Sequence, residues 1–281
     1  MILHITHNDL DGAGCAILIK KCFDRVNTAY LNYDEVDSYL EENYKMYDKV
    51  IITDVTPTPL KIEKLKNKMN LTLIDHHKST EVLKKYDFTI HSLEKSATLL
   101  TYEWLVEKGY HIENYKELAE CINDYDLWLM KIEDSLKMNM LFTLIGIGRY
   151  VERFVKNPSV KFTDTELYLL DIENENQEKY ILQAVNNTNY FRDKEGNSVA
   201  VVFAEKYNSE LGNYLVINEN VDYVIIINAQ KNKISLRSKS DVDISEIAVN
   251  NGGGGHKNAA GFSTEFDFCL EEFLREMGVI N

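Results

Sequence analysis

Residues 70–80 read NLTLIDHHKST: four residues of strand-like apolar rhythm run directly into Asp75, His76 and His77, after which the chain turns polar. An open α/β sheet binds its ligands just beyond the carboxyl ends of its strands. An acid and two imidazoles in that place are therefore candidate site residues. Successive side chains of extended chain point to opposite sides, so one histidine is expected to face a metal shared with neighbouring acids and the other a substrate.

Working outward, the first half of the chain alternates strand and helix signals. ILHIT (2–6) precedes the helical GAGCAILIKKCF, KVIITDVTP (49–57) ends in Asp54 and is broken by Pro57 and Pro59, and LKIEKLKNKM reads as a charged helix before LTLID. Alternation of this kind predicts a parallel sheet with helices on both faces. From about residue 136 to 190 the pattern is helical and charged, with no strand signal. Strands return in SVAVVFA (198–204), VDYVIIINAQ (221–230) and KISLRSKS (233–240), the last two forming a hairpin across Lys231 and Asn232. DISEIAVNN is expected as a short helix, GGGGHKNAAGF as a loop opening a helix, and LEEFLREMGV as an amphipathic helix. The expected fold is α/β: a metal-binding parallel-sheet domain over residues 1–155, a helical connector over 156–190, and a smaller α/β domain with a mixed sheet over 191–281.

Three strand ends then deliver acids or imidazoles to one sheet edge: HNDLDGAG (7–14) with Asp9 and Asp11, Asp54, and Asp75-His76-His77. INDYDLW (122–128) adds Asp124 and Asp126 after an apolar helix. Each taken alone reads as turn or cap chemistry. Jointly they make a carboxylate and imidazole donor set that suits manganese, iron or magnesium, and enough acids for two ions. The glycine run at 252–255 is expected to leave backbone N–H groups free for an anion, with His256 and Lys257 as further donors and Arg237 able to grip a phosphate or carboxylate.

Composition limits the partners. A formal charge of −14 disfavours a long duplex, which a basic surface would track, and leaves a small anionic substrate neutralised locally by metal and a few basic groups. No apolar run reaches eighteen residues and MILHITHNDLDG is unlike a secretory signal, so a soluble, cytoplasmic protein without a membrane partner is expected. Four scattered cysteines, Cys15, Cys22, Cys121 and Cys269, are expected as reduced thiols.

DLDG at 9–12, Asp54 after VIIT, DHH at 75–77, an acid in INDYD, and GGGGHKNAAG preceded by LRSKS together resemble the DHH phosphoesterase superfamily with its DHH-associated C-terminal domain. The short opening HNDLDGAGC and modest length resemble its small oligoribonucleases, the nanoRNases. The resemblance implies two manganese ions, with magnesium or another divalent ion as substitutes, held by Asp9, Asp11, Asp54, His76 and Asp124. It implies catalytic roles for His77, facing the scissile phosphate, and Asp75, and a substrate-binding set of Arg237, Ser238, Gly254, Gly255 and His256. Several branches carry a metal-binding histidine four residues before the first acid, where this chain has Ile5; His7 lies two before it, and the roles of His7 and Asp126 are left open. The implied activity is hydrolysis of short RNA, linear dinucleotides or pAp to mononucleotides by a metal-activated water. Trimming of single-stranded DNA in the manner of RecJ and dinucleotide sensing without cleavage are the alternatives, and a homodimer is left open.

Overall fold

The five strands of the first sheet are parallel and lie in the order β2-β1-β3-β4-β5. This computed structural model describes residues 1–239 and 241–264, so Cys269 and the amphipathic LEEFLREMGV lie outside the described residues. In chain order the elements are β1 (Ile2–His7), α1 (Leu10–Cys22), β2 (Val26–Leu31), α2 (Val36–Asn43), β3 (Lys49–Thr53), α3 (Pro59–Leu65), β4 (Leu71–Asp75), β5 (Thr89–His91), α4 (Ala97–Glu107), α5 (Lys116–Asp126), α6 (Ser135–Lys156) and α7 (Asp164–Asn186). The chain steps from β1 outward to β2 and returns past β1 to β3. That reversal is the switch point of a doubly wound sheet, where the crevice beyond the strand ends takes a ligand.

Alternation along the strands sorts the core into two layers. Leu3, Ile5, Val50, Ile52, Leu71 and Leu73 pack with Val36 and Leu40 of α2 and with Ile62 and Leu65 of α3. Ile51 and Ile74 face the other way, against the buried residues of α1, α4, α5 and α6. Burial on both faces is what a parallel sheet requires, and it explains the near-continuous apolar run in KVIIT and LTLID.

From the sequence, no strand is expected at β2 or β5. β2 is an edge strand whose VNTAYL is mostly half-buried and mixes polar with apolar residues, and β5 has three residues. α6 is part of the first core, where its Met138, Leu141, Tyr150 and Phe154 are buried.

The chain divides into two compact units between Glu173 and Asn174, inside α7, whereas the sequence places a separate connector over 156–190. The second unit holds β6 (Asn189–Arg192), β7 (Ser198–Phe203), α8 (Asn208–Asn218), β8 (Tyr223–Asn228), β9 (Lys233–Ser238), α9 (Ser245–Asn250), β10 (Gly254–His256) and β11 (Ala259–Ser263). β6 opens inside the stretch expected to lack strands. The second sheet runs β10-β11-β9-β8-β7-β6, with β7 and β8 parallel and the other pairs antiparallel, so it is mixed as expected.

GGGGHKNAAGF is a hairpin, which corrects the expected helix start. β10 and β11 pair from Gly254↔Gly261 to His256↔Ala259. Gly255 has φ +136° and sits where an added Cβ would lie 2.5 Å from Ala260 Cα, so the glycine serves a close strand approach. Cys15, Cys22 and Cys121 carry free thiols. Among the described residues, no helix is long and apolar enough to cross a membrane.

Candidate metal centre

The β1 end delivers His7, Asp9 and Asp11 in three different ways. Asp9 is the N-cap of α1: its Oδ1 accepts the Gly12 N–H at 2.9 Å, and its Oδ2 lies 2.6 Å from His7 Nδ1. Burial would raise the Asp9 carboxyl, but the His7 imidazole beside it wins and holds it below the usual carboxylate range. Asp11, in the first turn of the helix, accepts the Ala97 and Thr98 N–H groups at 2.7 and 2.9 Å. These are the first free amides of α4, so a helix N-terminus orients that carboxylate.

Asp54 follows β3 with φ +61°, left-handed backbone that costs a non-glycine residue about 1 kcal/mol or more and is most often tolerated at functional sites. The conformation sets its carboxylate between the ends of β1 and β4: Oδ2 is 3.8 Å from His7 Nδ1 and Oδ1 is 3.3 Å from His76 Nε2. The same imidazole nitrogen lies 3.6 Å from Asp126 Oδ2 and 3.7 Å from Asp11 Oδ2. Burial and the neighbouring Asp9, Asp11 and Asp126 push Asp54 well above the ordinary carboxylate range; burial, Asp11 and Asp9 do the same to Asp126. Burial and His77 lower His76.

Asp75 faces the opposite histidine. Its Oδ1 accepts the His76 N–H at 2.6 Å, the His77 N–H at 3.1 Å and His77 Nδ1–H at 2.7 Å, and its Oδ2 accepts from the Thr56 hydroxyl. Burial would raise Asp75; the His77 charge and hydrogen bond override it and hold the carboxyl low. Burial would likewise depress His77, and Asp75 raises it instead. The His77 carbonyl accepts from His91 Nε2 at 2.8 Å, which fastens the turn to β5. His76 Nε2 thus lies among Asp11, Asp54 and Asp126, while His77 is held at Nδ1 by Asp75, the two rings having centroids 4.3 Å apart.

Asp9, Asp11, Asp54 and His76 come together as the sequence predicts, and Asp124 does not. The Asp124 carboxylate accepts the Lys131 N–H at 2.9 and 3.1 Å and the Ile132 N–H at 3.1 Å, closing the loop after α5. Asp126, two residues on, is the acid of that stretch that reaches the cluster. His7 also joins it, and Tyr33 was missed altogether: its hydroxyl lies 2.9 Å from His77 Nε2. Tyr33 follows β2, the edge strand not expected from the sequence.

In the second unit, Ala259 pairs with Arg237 on one side and His256 on the other, so those two residues lie in one row on one face of the sheet. Arg237 donates from Nη2 to Ser209 Oγ at 2.8 Å. The Ser238 hydroxyl donates to the Val242 carbonyl at 2.7 Å and accepts from Asn258, so it holds a turn. Gly254 pairs with Gly261 on β11 and Gly255 with Ala260.

The first-unit residues fit a divalent cation. Asp54 Oδ2 and Asp126 Oδ2 are buried carboxylate oxygens without a hydrogen-bond partner, a situation folded proteins avoid unless another group satisfies them. His7, Asp9 and Asp54 form one group of ligand atoms, and Asp11, Asp54 and His76 another, each within 4.8 Å of one another. Oxygen and imidazole donors without thiolate suit manganese or magnesium better than structural zinc.

Residues 1–125 match the DHH family, N-terminal domain, and residues 167–278 match the DHHA1 domain. Oligoribonuclease NrnB of Bacillus subtilis (strain 168) is 32% identical over 299 aligned residues, covering 96% of this chain and 74% of that protein. Two solved structures share the fold at low identity. The pGpG-specific phosphodiesterase PggH of Vibrio cholerae has a TM-score of 0.58 at 14% identity, covering 99% of this chain and 97% of that one. Exonuclease RecJ bound to manganese has a TM-score of 0.57 at 15% identity, covering 98% and 87%. With acids and histidines at its strand ends and both domains matched in order, the chain belongs to the DHH family, its DHH domain followed by a DHHA1 domain.

Proposed function

We propose that the protein is a divalent-metal-dependent phosphodiesterase that hydrolyses short oligonucleotides, nanoRNA and linear dinucleotides above all and pAp as well, to mononucleotides. The observation that carries this reading is Asp54, which belongs to both groups of ligand atoms at a doubly wound switch point. His7, Asp9 and Asp54 would hold one ion, and Asp11, Asp54, His76 and Asp126 a second, with manganese favoured by the donor set and by the manganese in RecJ. When bound, such ions supply Lewis acidity and lower the pKa of coordinated water. NrnB supports short RNA as the substrate class and PggH a linear dinucleotide.

The chain's own residues would act as follows. Asp75 takes His77 Nδ1–H, fixing which nitrogen is left to face a substrate, and keeps the ring easier to protonate than burial alone would allow. From Nε2 a protonated His77 can donate to a phosphoryl oxygen as negative charge develops there. α4 aims Asp11 before any metal arrives, so that part of the site needs no reorganisation. Arg237 and His256, in one row of the second sheet, would bind a phosphate or sugar of the substrate, with Gly254 and Gly255 in the same hairpin.

A time course with purified protein, manganese, pAp, pApA, cyclic dinucleotides, RNA of two to twelve residues and single-stranded DNA tests the reading. Manganese-dependent loss of two- to five-residue RNA, absent in His76→Ala, is the expected result. Preference for long DNA would replace the reading with exonuclease trimming, and stable binding without cleavage would replace it with sensing.

The two acids of α5 should separate cleanly. Asp126→Asn is expected to fold and to lose about 10²-fold or more in turnover along with manganese affinity, because a cation ligand is gone. Asp124→Ala leaves two backbone N–H groups without their acceptor and should cost about 1–3 kcal/mol of stability. Calorimetric manganese titration and chemical denaturation of both variants check the pair; equal loss of metal affinity would return Asp124 to the ligand set.

A further inference from the structure

Tyr33 is the residue of this site that neither the sequence nor the ligand set accounts for. β2 runs parallel to β1 with His7 opposite Leu31, so the residues just past the two strand ends emerge side by side. The turn that carries Tyr33 is clipped shut by Glu35, which accepts from Asn32 N at 2.8 Å and Asn32 Nδ2 at 3.0 Å. The phenol ring then leans on the His7 ring, centroids 4.9 Å apart, and meets the His77 ring edge-on at 5.6 Å. Its hydroxyl is 2.9 Å from His77 Nε2, while the residue as a whole remains 52% exposed.

An imidazole held only at Nδ1 can rock about that one bond. Held at both ring nitrogens, it has a fixed plane. Asp75 supplies the first anchor, itself locked by Thr56 and two backbone N–H groups, and Tyr33 supplies the second. The hydroxyl is able to serve His77 in either state, giving its proton to the neutral Nε2 or accepting one from the protonated ring. Half of Tyr33 stays in solvent, so the hydroxyl can give way without disturbing the core.

We propose that Tyr33 is a positioning residue for His77: in the bound complex its hydroxyl holds Nε2 in the line that a phosphoryl oxygen takes over only as negative charge develops on it. This rests on the phosphodiesterase reading, but the anchor itself is testable without turnover. Misplacement of a reacting group by about 1 Å costs about 10²-fold in rate, so Tyr33→Phe, which keeps the ring and drops the anchor, should lower kcat about 10- to 100-fold. KM should stay within about twofold, since the bond is made before and exchanged during the reaction rather than spent on ground-state binding.

Two substrates and one spectrum decide the matter. Tyr33→Phe and Tyr33→Leu are compared with wild type on a pentaribonucleotide and on bis(p-nitrophenyl) phosphate, which has no base to stack. Imidazole nitrogen shifts of the metal-free full chain are recorded at a single pH, with His77→Asn to assign His77. Support is a fall in kcat on both substrates at steady KM, with the His77 Nε2 resonance displaced in Tyr33→Phe. A rise in KM confined to the oligonucleotide in Tyr33→Leu, with the aryl ester unaffected, would overturn positioning and make Tyr33 a stacking platform. An unmoved Nε2 resonance would also overturn it. Were wild type inactive on both substrates, the phosphodiesterase reading would fail, and the Nε2 shift would still decide whether Tyr33 holds His77.

Discussion

Asp54→Asn should abolish manganese-dependent hydrolysis, by about 10³-fold or more, and at the same time raise the melting temperature of the metal-free protein above neutral pH. The first effect follows from its place in both groups of ligand atoms, because the several kcal/mol that a cation contributes to a charged transition state depend on the residue that joins them. The second follows from its surroundings. Burial and three neighbouring acids raise the folded-state carboxyl well above its unfolded value. Between those two values the folded chain holds more protons than the unfolded chain, so stability falls as pH rises. The favourable contribution of this carboxyl is complete below the ordinary carboxylate range and is lost as pH climbs through the raised folded value. Asparagine removes the penalty. Melting in a chelating buffer should place the variant above wild type at pH 8, by about 2–4 °C for each kcal/mol relieved. The gap should close below pH about 4, where both side chains are neutral. Added manganese should reverse the ranking, since it stabilises only the chain that binds it. A variant less stable than wild type at pH 8 would mean that Asp54 is not repelled in the metal-free fold.

Gly12→Ala is the second change with a large expected effect. A Cβ there would lie 2.1 Å from the His7 carbonyl oxygen, 2.7 Å from its carbon and 2.9 Å from its nitrogen, all backbone atoms that no rotamer change can move. Room must come from shifting the end of β1 or the start of α1, and both carry site residues. Overpacking of this kind costs about 1–3 kcal/mol, and displacement of His7, Asp9 and Asp11 should lower turnover about 10²-fold. The glycine therefore makes space for the protein's own strand. Gly148→Ala in α6, where nothing lies within 4 Å of the added Cβ, is the control and should leave stability unchanged or slightly raised. Denaturant midpoints of the two variants, with manganese titrations, check the contrast; a Gly12→Ala protein as stable and as active as wild type would refute the clash.

The candidate site was legible wherever a strand pattern ended in an acid. Asp9, Asp11, Asp54 and His76 could be grouped from the sequence because strand periodicity and chain direction are local, and a parallel sheet brings successive strand ends to one edge. Residue type and order also settled the α/β class, the mixed second sheet and the family resemblance.

Other features depended on packing that no local pattern reports. On α5, residues two apart point about 200° away from each other, so whether Asp124 or Asp126 meets His76 depends on how that helix docks against α1 and α4. The docking turned Asp124 to the backbone amides of the following loop and Asp126 to the cluster. Tyr33 follows a half-buried edge strand, and the glycine run became one arm of a hairpin in which Gly253 and Gly255 leave no space for a Cβ against β11. The sequence by itself determined which chemical groups the strand ends offer, since strand and acid are adjacent in the chain. Only the tertiary structure decided which groups meet, since long-range partners such as the α4 amides for Asp11, Tyr33 for His77 and Asp126 for His76 are chosen by packing between elements.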